Sequence, residues 1–268
     1  MTAHQSLVRR LAAVSFLNAK PLVDGLEDEA GIELSSDVPA RLLTTLIDGS
    51  AHVALCPTID YQRAPCSLVV LPSGCISSDG PTLTVRVFSS RPLEDLEAVA
   101  IDGDSHTSVA LLQIVFSELF GRRPPLETLE PGGTPLDAQL LIGDKVVRDE
   151  PDRGVFPFQL DLGEAWKGLT GLPFVFAAWM ARADADLGDL PSVLDRRREA
   201  NRRRIPEIVA TWAEPLGWPS DLARRYLEDI LLFELGPREL QSIELFWTKC
   251  HALGLIDRLR PMRLYEGA

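Results

Sequence analysis

The sequence predicts an α/β fold built as two lobes with a cleft between them, and three observations predict it. Short apolar, β-like runs alternate with helical patterns through most of the 268 residues, as in proteins that pack helices on sheets. The alternation restarts near RPLEDLEAVAI, Arg91 to Ile101, where a second unit begins. Beyond about Asp184 only helical spacing remains. The expected division is a first lobe of residues 1–89 and 180–268 and a second lobe of residues 90–179.

Each element follows from local pattern. LAAVSFL, Leu11 to Leu17, is the first strand, and it runs into Asn18, Lys20 and Pro21. In RLLTTLIDGS, Leu42, Leu43, Leu46 and Ile47 make one helical face that Gly49 stops. HVALC, His52 to Cys56, is a second buried strand ended by Pro57. SLVVLPSGCISSDG and LTVRVFSS continue that sheet, and the pairing is expected to be largely parallel. AVAI, Ala98 to Ile101, opens the second unit and leads through the polar loop DGDSHTS into a helix with Val109, Leu112, Val115, Phe116 and Leu119 on one face. AQLLIGD, Ala138 to Asp144, is a further strand. Asp161 to Ala181 holds a helix, a Gly-Leu-Pro break and a very apolar strand whose Phe174, Phe176 and Trp179 read as core. The run RRREANRRR, Arg196 to Arg204, reads as a solvated helix face because Asp195 and Glu199 interleave it.

Composition narrows the function. A formal net charge of −12 argues against a general nucleic-acid binder, which needs a basic face, yet leaves room for a small anion held by helix N-termini. Cys56, Cys66, Cys75 and Cys250 show neither zinc-ligand nor disulfide-scaffold spacing, so a reducing cytosol is the simple reading and no metal is expected. Arg9 and Arg10 before LAAVSFL mimic an export signal, but the apolar run is short and lacks a cleavage site, so it reads as a strand. No run approaches the roughly 20 apolar residues of a membrane span. The expected location is the cytoplasm.

The layout matches the two-lobed, type II periplasmic-binding-protein-like fold with an interlobe cleft. Beyond layout, VSFLNAKPLVDGL, VPARLLTTLIDGSAHVALCPTIDY, SGCISSDGPTLTV, AIDGDSHTSVALL, LLIGD and DLGEAWKGLTGLPFVFAAW occur in an order that resembles the menaquinone-biosynthesis proteins of the futalosine route, and within them the chorismate dehydratases. The resemblance spans roughly residues 11 to 180. It implies a cofactor-free hydro-lyase of that fold, which turns chorismate into 3-[(1-carboxyvinyl)oxy]benzoate. A sister branch acting on a later futalosine-derived intermediate carries a catalytic His where this chain has Gly143. That enzyme and a non-catalytic anion-binding protein of the same fold are the alternatives.

The resemblance implies catalytic roles for Asn18, matching the family's asparagine, and Thr84, which stands where the family has serine. Leu83 and His106 each replace a family arginine. From the residues alone, Asn18 is a turn former ending a strand; the resemblance makes it a donor to a substrate carboxylate or to the departing hydroxyl. Thr107 and Ser108 offer N–H groups and hydroxyls at a helix start, where a carboxylate or an ordinary cap fits, and Asp104 or Ser105 can supply that cap. Pro57 and Thr58 follow a strand, a position where open α/β sheets bind ligands. Gly80 and Pro81 of the DGP motif, His106 as a carboxylate partner, and Asp144 at the end of LLIGD complete the expected substrate-binding set. None of these is an obvious general base, so the substrate's own enolpyruvyl carboxylate is a candidate for that role.

Overall fold

The computed structural model describes residues 8–101, 103, 105–128 and 137–266. Asp104 lies outside them. Eleven strands are present among the described residues: β1 (Arg9–Val14), β2 (Ile32–Asp37), β3 (Val53–Pro57), β4 (Leu68–Ser78), β5 (Val85–Ser89), β6 (Val99–Ile101), β7 (Leu126–Thr128), β8 (Ala138–Ile142), β9 (Phe158–Asp161), β10 (Phe174–Arg182) and β11 (Leu231–Leu232). They form a six-stranded sheet of order β11-β4-β10-β3-β1-β2 and a five-stranded sheet of order β7-β6-β8-β5-β9.

The pairing corrects two expectations. Val85 to Ser89 does not extend the first sheet; it pairs antiparallel with β8 and β9 in the second. β10 in turn runs back between β3 and β4, antiparallel to both, so all of Phe174–Arg182 belongs to the first sheet. The sheets are therefore mixed, with parallel pairing kept to β1 with β2 and β3, and to β6 with β7 and β8. Direction explains both results. The chain leaves the first sheet after β4 and re-enters it at β10, so the strands next to the two crossings cannot keep the sense of the β-helix-β units.

Burial follows the sequence pattern. β3 is buried along its whole length, as a continuous apolar run flanked on both faces requires. One apolar cluster runs from Leu11 and Val53 in the first sheet to Val87, Leu140 and the helix His106–Phe120 in the second. Helices Leu190–Arg202, Ile205–Trp212 and Pro237–Ala252 close the C-terminal side. The arginine-rich run is not wholly solvated. Arg198 is buried and pairs with Asp195 and Glu199, and buried Asn201 donates to the Asp24 carbonyl at 2.8 Å.

The crossing from β4 to β5 is held by one carboxylate. Asp161 caps the helix Leu162–Thr170 by accepting from Gly163 N and Glu164 N, and it also accepts from Thr82 N at 3.0 Å and Leu83 N at 2.8 Å. Those bonds hold Leu83 at φ +67°, a left-handed conformation that a leucine rarely adopts unaided. Asp161→Ala removes a helix cap and the support of that turn together. The expected loss is about 2–4 kcal/mol, measured by urea unfolding.

Candidate active site

A narrow cavity of about 50 Å³ lies where the ends of β1 and β3 in the first sheet meet the ends of β5 and β8 in the second. Phe16 and Asn18 come from the stretch after β1, Pro57 from the end of β3, and Phe176 from β10. The second lobe contributes Thr82, Thr84, Ser105, Ser108 and Gly143, and the C-terminal region contributes Tyr226. No described residue on this wall is an acid, a histidine, a lysine, an arginine or a cysteine.

Local folding explains each polar group. β1 stops at Val14, and Leu17–Ala19 form a single 3-10 turn, so Asn18 projects from a helical turn beyond the strand rather than from the strand itself. Its Oδ1 is buried and has no hydrogen-bond partner. Thr84 is buried at the start of β5, and its Oγ1 lies 2.7 Å from the Tyr226 hydroxyl. Ser105 caps the helix His106–Phe120: its Oγ accepts from Ser108 N at 3.2 Å and donates to Ser108 Oγ at 2.9 Å. That helix start puts the positive end of a fifteen-residue dipole at the cavity.

Tyr226 is a polar cavity residue that sequence reading misses. It opens a π-helical turn, Tyr226–Ile230, a geometry often found at functional sites. Its ring stacks on Trp218 at 4.7 Å between centroids. Burial pushes its hydroxyl well above the ordinary phenol value, although the neighbouring Thr84 and Asn18 side chains act in the opposite direction, so it is neutral at physiological pH and able to donate or accept a hydrogen bond. In sequence it is one aromatic residue in a helical stretch, with no local signal.

The other expected residues stand back from the wall. Thr58 is fully buried, its hydroxyl donating to the Val175 carbonyl and its carbonyl accepting from Trp247 Nε1. The Gly80 carbonyl accepts from Ser78 Oγ, while Pro81 lines an outer groove with Leu83, Arg86 and Asp161. Thr107 Oγ1 accepts from Ile59 N at 3.2 Å, and His106 Nδ1 lies 2.8 Å from Asp60 Oδ1, so both residues tie the second-lobe helix to the loop after β3. Of the three departures from the family pattern, Leu83 and His106 lie off the cavity wall, whereas Thr84 is on it. Of the three aromatic residues in the apolar strand, Phe176 reaches the cavity while Phe174 and Trp179 are core.

Asp144 is structural in this geometry. Its carboxylate accepts from Leu17 N at 3.2 Å and from Trp218 Nε1 at 2.8 Å. Burial raises its pKa above the ordinary 3.8, with Trp218, Leu17, Arg148 and Lys20 partly offsetting the shift. Gly143, beside it, has φ +60°, and a Cβ there would lie 2.7 Å from the Phe16 ring. Any larger residue at 143 therefore meets both a left-handed backbone and an aromatic wall. Among the described residues no group of three or more His, Cys, Asp or Glu side chains is arranged to hold a metal ion, and no helix is long and apolar enough to cross a membrane.

Two lobes, joined by crossing strands and enclosing a polar-tipped cavity on their seam, define the periplasmic-binding-protein class of fold. Solved structures agree: the chain is similar to the periplasmic aliphatic sulphonate binding protein of Escherichia coli, with TM-score 0.64 and 16% identity over 97% of this chain and 94% of that one. It is also similar to a Candida albicans protein of generic periplasmic binding protein fold, with TM-score 0.68 and 12% identity over 94% of this chain and 92% of that one. At the level of sequence the chain belongs to the menaquinone biosynthesis family, whose model matches residues 9–252. A curated relative, the chorismate dehydratase of Thermus thermophilus, is 31% identical over 233 residues, covering 79% of this chain and 84% of that protein.

Two outcomes test this geometry. Gly143→Ala is expected to cost about 1–3 kcal/mol in urea unfolding and to displace Phe16 into the cavity. Because the folded pKa of Asp144 is raised, its favourable contribution is full below about pH 3.8 and is lost as pH rises through the folded value. Asp144→Asn removes that titration, so its stability relative to the parent should climb between pH 3.8 and neutrality. Parallel stability curves for the two proteins would contradict the burial of this carboxylate.

Proposed function

We propose that the protein is a chorismate dehydratase that converts chorismate to 3-[(1-carboxyvinyl)oxy]benzoate and water, the first step of the futalosine route to menaquinone, in the cytoplasm. The observation that carries the reading is the cavity wall: neutral hydrogen-bonding groups on an apolar surface, with no acid, histidine, lysine, arginine or cysteine side chain among its described residues. The reaction needs little else. Loss of the C3 proton and the C4 hydroxyl makes the ring aromatic, so the enzyme has to orient the substrate and choose which bonds break.

The substrate is a dianion. One carboxylate fits the start of the helix His106–Phe120, where Ser105 and Ser108 hydroxyls and the helix dipole offer an anion site without a cation. Asn18 and Thr84 face the reacting carbons and the C4 hydroxyl. Asp144 is engaged by Leu17 and Trp218, and His106 by Asp60, which supports assigning the base to the substrate itself. The enolpyruvyl carboxylate takes the C3 proton, the C4–O bond breaks, and the same carboxyl returns the proton to the departing oxygen. Water leaves and no proton is exchanged with the protein.

The sister activity on a later futalosine-derived intermediate is disfavoured by Gly143, whose position leaves no room for a side chain against Phe16. Incubation with chorismate is expected to give the aromatic enol ether, seen by ultraviolet absorbance and mass spectrometry. Binding without conversion would favour a binding protein, and an inert protein would overturn the proposal. Asn18→Asp places a negative charge beside a dianion. It should lower turnover at least about a hundredfold while the unfolding midpoint changes little.

A further inference from the structure

Asp144 stands where an aspartate ordinarily caps a helix, just before Lys145–Arg148, yet its side chain makes no capping bond to that helix. The carboxylate, only 7% exposed, reaches instead out of the second lobe to two donors. Leu17 N lies 3.2 Å from Oδ1 and 3.3 Å from Oδ2, and Trp218 Nε1 lies 2.8 Å from Oδ1. Each donor adjoins a polar group of the cavity. Leu17 opens the 3-10 turn that carries Asn18, and the Trp218 ring stacks on Tyr226 with their planes 18° apart. The preceding residue ties in a third group, because Gly143 N donates to the Thr84 carbonyl at 2.8 Å. Two consecutive residues therefore hold the supports of Asn18, Thr84 and Tyr226, which all line the cavity.

The size of the cavity adds a second constraint. About 50 Å³ has room for a few water molecules, and a ring compound bearing two carboxylates needs several times that. A ligand therefore enters only when the seam parts, and the bonds of Asp144 span that seam. We propose that Asp144 is a positioning residue: as the lobes close, its carboxylate docks the Asn18 turn and the Trp218–Tyr226 pair against the corner that holds Thr84, so the polar groups of the wall come into register only in the closed state. The two donors need an acceptor rather than a charge, because Oδ1 alone is within reach of both. The anchoring stands on geometry; its effect on turnover rests on the dehydratase reading.

Asp144→Asn keeps an oxygen for both donors, Asp144→Ala removes it, and Trp218→Phe keeps a ring on Tyr226 while deleting the indole donor. Each is assayed at a temperature where its unfolding curve shows it fully folded. With chorismate, Asp144→Ala is expected to lower kcat about tenfold or more with KM changed less than about twofold, since the reacting groups are misplaced rather than lost. Asp144→Asn should recover most of that loss. Trp218→Phe should lower kcat about threefold or more, and adding it to Asp144→Ala should cost less than about twofold further, because both remove the same bond. An unchanged kcat in Asp144→Ala, a loss confined to KM, or Asp144→Asn as slow as Asp144→Ala would overturn the proposal. Trp218→Phe carries the test alone if Asp144→Ala does not fold: an unchanged kcat in it overturns the proposal equally. A second measurement needs no turnover. In protein labelled with nitrogen-15, the Trp218 indole N–H resonance, assigned by its loss in Trp218→Phe, should shift in Asp144→Asn as its acceptor changes from carboxylate to amide. An unshifted resonance overturns the anchoring, whereas a shifted one in a protein inert toward chorismate overturns only the dehydratase reading.

Discussion

The site depends on the carboxylate of Asp144. It stands just past β8 in the second sheet, accepts from Leu17 N in the turn after β1, and accepts from Trp218 Nε1 in the C-terminal region. Three separate stretches of chain are thereby held together. Trp218 supports the Tyr226 ring, and Tyr226 reaches Thr84, so the two sides of the cavity are set by one buried group. Burying a carboxylate is unfavourable, and the raised pKa records that cost. Hydrogen bonds from a backbone amide and an indole offset it, which explains why the oxygens of Asp144 are spent on structure.

What remains on the wall is chemically neutral. Hydroxyls, a side-chain amide and a helix start can hold a dianion by direction rather than by opposing charge. The protein's net charge of −12 is no obstacle, because the local field at a helix N-terminus is positive whatever the total. An uncharged wall also suits a reaction in which the substrate carries its own base, since a titratable neighbour would compete for the same proton. Phe16 and Gly143 sharpen the shape: the ring lies where a side chain at 143 would stand.

Much of this was legible in the sequence, and the remainder has identifiable causes. Apolar runs marked β1, β3, β8 and β10, and the polar loop with a serine or an aspartate as cap before His106 marked the helix start, because those signals are local. Asn18, Thr84 and Ser108 were found through motifs and Pro57 through its place at a strand end, and all four reach the cavity. The partners of β5 and the return of β10 were not legible, since strand pairing depends on where the chain crosses between sheets. Tyr226 lies 142 positions from Thr84, and Trp218 lies 74 from Asp144, so only tertiary closure brings them together. Thr58, Thr107 and Asp144 are polar residues at strand and helix ends, where structural hydrogen bonds and ligand contacts look alike in a sequence. Asp161 did leave a trace: an aspartate three residues before Glu164 is a helix-start pattern, and it also holds the Thr82–Leu83 turn.

The central claim is that the seam cavity is the reactive site. A crystal structure with 3-[(1-carboxyvinyl)oxy]benzoate bound tests it most directly. The expected result is the product in the cavity, with a carboxylate at the Ser105–Ser108 helix start and the former C4 edge of the ring facing Thr84. Product bound elsewhere, or a cavity left vacant at saturating product, would contradict it.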